Sequence, residues 1–268
     1  MKIRKKREEI SVANFISSPS SSTTTPTMDS SLKREFELFK MRKILKRSYL
    51  TLLQPTLKPE EAKTLLDQVK TYGFGGVLTL PAAIPSFSRL LDGEKPLLYT
   101  AISYPHGEDL TKTKISAAKN CLSVGAKGIV CVLSLSPVKR GEWKQVRKEG
   151  EKLTSAFGKK TNVKIAVDLA CLSEQEQEKL FRCCKGAKIK SFVLFSSSGL
   201  LSPLEIRRIK EFCSVPIEVM GGVDSSAELL EFLEGGAEGV FSSQMLKATE
   251  NLAESYNVTA RELQQEEI

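Results

Sequence analysis

The 268-residue sequence contains one histidine, one tryptophan and no C-x-x-C pair. None of its apolar runs approaches the ~18–20 residues that a membrane span requires. A single histidine, His106, confines any Ser-His-Asp triad to its own neighbourhood and rules out a multi-histidine metal centre. The six cysteines (Cys121, Cys131, Cys171, Cys183, Cys184 and Cys213) match neither a zinc pattern nor a disulfide framework. Several lie in apolar stretches, which suits free thiols in a reducing, cytoplasmic compartment. No metal or other cofactor is therefore expected. The residues that are abundant, 41% hydrophobic and 27% charged, suit a water-soluble globular chain long enough for one large domain.

The formal net charge is +8, and its distribution is uneven. Residues 1–47 hold 12 Lys/Arg against 5 Asp/Glu, whereas the remainder holds 28 against 27. A basic protein suggests a nucleic-acid partner when the charge covers a folded face. Here the excess sits in a head segment and reads as a solvated run, so there is no strong nucleic-acid signal. Residues 1–30 combine a basic start with a Ser/Thr/Pro tract and have too little apolar surface to offset ordering entropy. They are expected to be disordered. No apolar segment follows the basic start, so a secretory signal is not expected; organelle import is left open, with Met28 as an alternative start. Residues 31–47 read as an amphipathic basic helix, its apolar positions Leu32, Phe36, Leu38, Phe39, Ile44 and Leu45 docking on the domain. Contact with a membrane surface is the weaker alternative, because the stripe is short.

From residue 48 a rhythm begins. Apolar runs at 49–53, 76–80, 97–103, 128–133, 163–167, 192–195, 217–220 and 239–241 alternate with helical stretches at 59–71, 85–92, 111–124, 141–157, 173–184, 202–212, 224–234 and 244–257. Ser173 before Glu176, Ser202-Pro203 before Glu205, and Asp224 before an Ala-Glu-Leu-Leu run mark helix starts. Gly125, Gly186 and the Gly235-Gly236 pair mark helix ends. Near-continuous apolar strands are buried on both faces, so eight strand–helix units predict a (β/α)8 TIM barrel over 48–257, followed by a charged tail at 258–268. A doubly wound open sheet is the second architecture. In a barrel the functional loops follow the strands, which places Asp168, Ser196 to Gly199, Gly221 to Asp224 and Ser242 to Gln244 at one mouth. Gly221, Gly222, Ser242 and Ser243, joined by Ser198 and Gly199, suit a phosphate or another small anion: glycine lets backbone N–H groups approach closely, and a helix start supplies free donors. Ordinary βα turns also use such small residues.

The order and spacing of several stretches resemble the deoxyribose-phosphate aldolase family from about Thr51 to Leu246. These are Tyr72-Gly73-Phe74, Pro81, Tyr104-Pro105-His106-Gly107, Lys114, Gly125-Ala126, Lys164-Ile165-Ala166-Val167-Asp168, Gly221-Gly222-Val223 and Gly236-Ala237. The resemblance implies a (β/α)8 fold, a cytoplasmic location and a pocket of phosphosugar size. It also implies a chemistry in which a sixth-strand lysine forms a Schiff base with acetaldehyde. A second lysine keeps that amine partly unprotonated, and an aspartate relays protons. In this sequence Leu194 stands at the nucleophile's place, Glu218 at the second lysine and Val130 at the aspartate, while Tyr49 loosely matches an early-strand aspartate. Leucine cannot form an imine.

Lys164 shares a strand face with Asp168 by period-2 alternation and is expected to pair with Asp168 or Glu218 inside the barrel. A solvated lysine is the alternative. Phe241 is expected to narrow the mouth or fill the vacated space. His106 reads as turn chemistry and Trp143 as helix packing. The favoured expectation is a catalytically degenerate aldolase-like barrel that binds a phosphorylated small molecule. The alternatives are an active aldolase with a displaced site, or a scaffold that uses the basic head (4–7 and 40–47). A homo-oligomer is compatible with each.

Overall fold

The computed structural model describes residues 30–92, 95–158, 161–199 and 201–264. The chain divides into a unit of residues 1–35 and a second of residues 36–268, and the second contains the whole barrel. The basic start, the Ser/Thr tract and Met28 lie outside the described residues.

Helix α1 (Ser30–Leu45) leads into strand β1 (Ser48–Leu52). The order then runs α2 (Pro59–Tyr72), β2 (Gly76–Thr79), α3 (Ile84–Leu91), β3 (Leu97–Ile102), α4 (Thr111–Ser123), β4 (Gly128–Val132), α5 (Ser136–Lys139), α6 (Trp143–Ser155) and β5 (Asn162–Asp168). It continues with α7 (Glu174–Cys183), β6 (Phe192–Phe195), α8 (Pro203–Lys210), β7 (Ile217–Met220), α9 (Ser226–Glu234), β8 (Val240–Ser242), α10 (Met245–Ser255) and α11 (Ala260–Gln264). Each strand pairs in parallel with the next, and β8 pairs with β1, closing a (β/α)8 barrel. Closure removes both sheet edges, and with them the open-sheet alternative.

Alternating side chains build two separate cores. One set packs outward against the helices, for example Phe192 and Leu194 of β6. The other fills the barrel, for example Val193 and Phe195 of the same strand. The helix starts follow from capping chemistry: Ser173 with Glu176 and Ser202 with Glu205 form reciprocal capping boxes. For α9 the cap is Ser225 with Glu228, not Asp224, because only Ser225 places its hydroxyl on the Glu228 amide. The Ser202→Ala variant is expected to lose about 1 kcal/mol, read as a lower urea midpoint at unchanged slope.

Two further details depart from the sequence pattern. The short helix α5 interrupts the β4–α6 connection, with Pro137 and Val138 buried. Within the charged tail, α11 buries Leu263, and Arg42 donates to the carbonyls of Leu263 and Glu262 at 3.4 and 2.8 Å. A tail rich in charge still docks when a single leucine and backbone acceptors meet a preformed surface. All six cysteines are free, and Cys171 is exposed. Among the described residues no helix is long and apolar enough to cross a membrane, and no His/Cys/Asp/Glu cluster could hold a metal ion.

Candidate functional site

The barrel interior is built in layers from the strand register. At its N-terminal floor the odd strands contribute Tyr49, Tyr99, Lys164 and Glu218, while Gly76 and Gly128 lie beside the two tyrosines. Those glycines are required by space. A Cβ on Gly128 would overlap the Tyr99 ring, and one on Gly76 would come within 3.1 Å of both tyrosine rings. Above the floor lie Leu78, Val130, Val193 and Phe241 from the even strands, then Ala101, Ala166 and Met220, then Val132 and Phe195.

Lys164 and Glu218 are only 3% and 5% exposed, and the Lys164 Nζ donates to Glu218 Oε1. Ser191 donates its hydroxyl to the other carboxylate oxygen at 3.1 Å. The ammonium is also caged by rings, with Nζ 4.8, 5.1 and 5.3 Å from the centroids of Tyr49, Tyr99 and Phe241. Tyr49 stacks on Phe241 at 4.2 Å, and Tyr99 stands edge-on to both. Asn162 donates to the Tyr99 hydroxyl at 2.7 Å. Desolvation lowers the Lys164 pKa, and the Glu218 carboxylate opposes that shift. Burial raises the pKa of both tyrosines, with Glu218 adding to it, so both stay neutral.

At the opposite end lies the mouth. Asp168 is not the partner of Lys164. Its carboxylate accepts from the Ala170 and Ser197 amides at 3.1 and 3.0 Å and from the Cys171 thiol, tying the loop after β5 to the loop after β6. Ser196 and Ser198 share a hydroxyl hydrogen bond of 2.8 Å, and Gly199 is exposed beside them. Gly221 and Gly222 both take positive φ, 90° and 69°, which presents backbone rather than side chain to the mouth. Ser242 is buried: it donates to the Val223 carbonyl at 2.7 Å and accepts from the Gln244 amide at 2.9 Å. Its hydroxyl therefore holds the β7 loop, and Ser243 is the exposed serine of the pair. The structure thus brings Gly221, Gly222, Ser243 and the start of α10 together, with Ser198 and Gly199 on the loop after β6.

The loop after β3 is held from below. Lys114 of α4 is fully buried and donates to the carbonyls of Gly107 and Val132, to Ser134 Oγ at 3.2 Å and to Glu149 Oε1 at 2.7 Å. His106 sits exposed in that loop, and the Tyr104 ring lies 5.9 Å from Phe195 across the mouth. Trp143 packs against the outer core, as its place in a helix suggests.

Three positions assigned on the resemblance can now be located. Glu218 and Val130 point into the barrel. Leu194 does not: it belongs to the outer core, and the inward positions of β6 are Val193 and Phe195. Alternation along a strand makes register decide the face, so the β6 side chains that face the interior are those on either side of Leu194. The ring cage of Tyr99 and the buried Lys114–Glu149 pair emerge only in the folded barrel. Tyr99 facing Gly128 across the sheet was a readable large–small signal, whereas the 35-residue separation of Lys114 and Glu149 carried none.

These elements define a closed (β/α)8 barrel with its candidate site at the C-terminal mouth and an ion pair on its floor. The chain is similar to proteins named deoxyribose-phosphate aldolase. That of Clostridioides difficile (strain 630) is 28% identical over 215 residues, spanning 79% of this chain and 97% of the relative. That of Caldanaerobacter subterraneus is 26% identical over 225 residues, spanning 82% and 96%. The solved tetrameric deoxyribose phosphate aldolase from Aeropyrum pernix superposes with a TM-score of 0.70 at 19% identity, covering 85% of this chain and all of that one. No family model matches the sequence.

Proposed function

We propose that this chain is a catalytically degenerate relative of deoxyribose-phosphate aldolase that binds a phosphorylated small molecule at its mouth. One observation carries the reading: the sixth strand turns Val193 and Phe195 inward, so hydrocarbon stands where an imine-forming amine would be needed. Val130 and Glu218 at the two supporting positions point the same way, since Val130 has no group to relay a proton as the family's aspartate does and Glu218 brings negative charge where the family's second lysine lends positive charge. The amine of Lys164 lies on the floor, bound to Glu218, with Phe241 and the layers of Val130 and Val193 between it and the mouth. Gly221, Gly222, Ser243, Ser198 and Gly199 supply the small-residue loops an anion needs. Six free thiols suit a reducing compartment, and the tetrameric relative supports a homo-oligomer.

A second reading, an active aldolase that uses Lys164, is favoured by a single observation: Lys164 is a lysine whose amine lies inside the barrel. Borohydride trapping with acetaldehyde, followed by peptide mass mapping, separates the two. No labelled lysine is expected; stoichiometric ethylation of Lys164 would establish the aldolase. In parallel, a thermal-shift series with sugar phosphates is expected to raise the melting temperature of the full chain. A flat series would leave the barrel a scaffold.

A further inference from the structure

Helix α1 carries two opposed faces, and only one of them is used by the barrel. Met41 and Leu45 are buried in the outer core, with Leu38 and Ile44 packed against it. On the other side Phe36 and Phe39 are 50% and 44% exposed. Together with Lys40 and Lys43 they stand at i, i+3, i+4 and i+7, which is one face of the helix, and Lys46 follows in the turn after it. The lysines reach back over the rings, with Lys40 Nζ 4.4 Å from the Phe36 centroid and Lys43 Nζ 4.7 Å from that of Phe39. Among the described residues none of the three lysines takes part in an ion pair.

We propose that this face of α1 docks on an anionic lipid surface. Exposed aromatic rings flanked by free lysines match an interfacial helix: the rings enter the headgroup boundary, and the ammonium groups meet lipid phosphates and carboxylates. The charge distribution selects the same partner. Residues 1–47 carry nearly all of the protein's excess positive charge, while the rest of the chain is balanced, so attraction to a negative surface is directed through this segment. A second copy fits less well. A twofold contact through this face would press Lys40 and Lys43 against their own symmetry mates. The proposal does not depend on the reading of the barrel interior.

The test is sedimentation of the full chain with vesicles of phosphatidylcholine alone or of equal parts phosphatidylcholine and phosphatidylserine. Binding is expected to the mixed vesicles only, and to weaken as salt is raised. Phe36→Ser with Phe39→Ser is expected to weaken it by about tenfold or more. Each of Lys40→Glu and Lys43→Glu is expected to weaken it by at least about fivefold. The melting temperature should hold in all of them, because these side chains are exposed. Equal binding by the variants, which would place the contact elsewhere, overturns the proposal. So does binding to neither vesicle, equal binding to both, or a concentration-dependent dimer abolished by the two serine substitutions.

Discussion

Replacing Glu218 with leucine is expected to cost the barrel about 3–5 kcal/mol, because it leaves the Lys164 ammonium buried without a counter-charge. The ring cage offsets part of that loss but cannot replace a carboxylate in direct contact. The loss should depend on pH with a definite sign. Desolvation already places the lysine's folded pKa below its unfolded value, and removing Glu218 removes the influence that raises it. The penalty is therefore complete below the variant's folded lysine pKa, where folded and unfolded chains both hold the proton, and fades as pH rises from there towards the unfolded pKa. The companion variant Lys164→Met with Glu218→Leu is expected to recover most of the stability. Both charges then leave together, the space is refilled with hydrocarbon, and only the Ser191 hydroxyl loses an acceptor, worth about 1 kcal/mol. Urea unfolding of both variants across pH measures this directly. Equal losses in the single and the double variant would mean that the pair is not the unit that matters.

Lys114→Met is expected to be as damaging, about 3–5 kcal/mol, but it should respond differently to a second substitution. Its ammonium satisfies four acceptors, and two of them, the Gly107 and Val132 carbonyls, belong to the backbone. Adding Glu149→Leu removes the orphaned carboxylate yet leaves the Val132 carbonyl without the ammonium and the Gly107 carbonyl with only the Ser134 hydroxyl, which donates to it at 2.7 Å. Only partial recovery is expected, and the 104–108 loop should become the preferred site of proteolytic nicking, since Lys114 ties it to the end of β4. Full recovery in the double variant would assign Lys114 no role beyond its ion pair. The contrast between the two lysines separates a charge held by another charge from a charge that pins a loop.

Relatives at 26–28% identity over most of this chain carry the aldolase name, and the solved structure superposes along nearly the whole barrel. Overall likeness sets the backbone, and the inward side chains set the chemistry. That is why the trapping experiment turns on Val193, Phe195 and Lys164 rather than on overall likeness.

The amino-acid sequence alone determined the eight strands, their intervening helices and the closed parallel barrel. Those features depend on short-range patterns: apolar runs buried on both faces, Ser-x-x-Glu boxes and glycines at helix ends. It also placed the glycine and serine loops at one mouth, because strand direction is common to all parallel units. Which of two adjacent residues of β6 turns inward was not legible, since Phe192 to Phe195 are all apolar and alternation leaves no polarity mark. Tertiary contact alone decided that Lys164 meets Glu218 rather than Asp168, that Ser242 spends its hydroxyl inside the β7 loop, and that Phe36 and Phe39 face outward. Each of these depends on which groups the closed barrel brings within hydrogen-bonding or van der Waals reach, and residues 54 positions apart carry no local trace of that proximity.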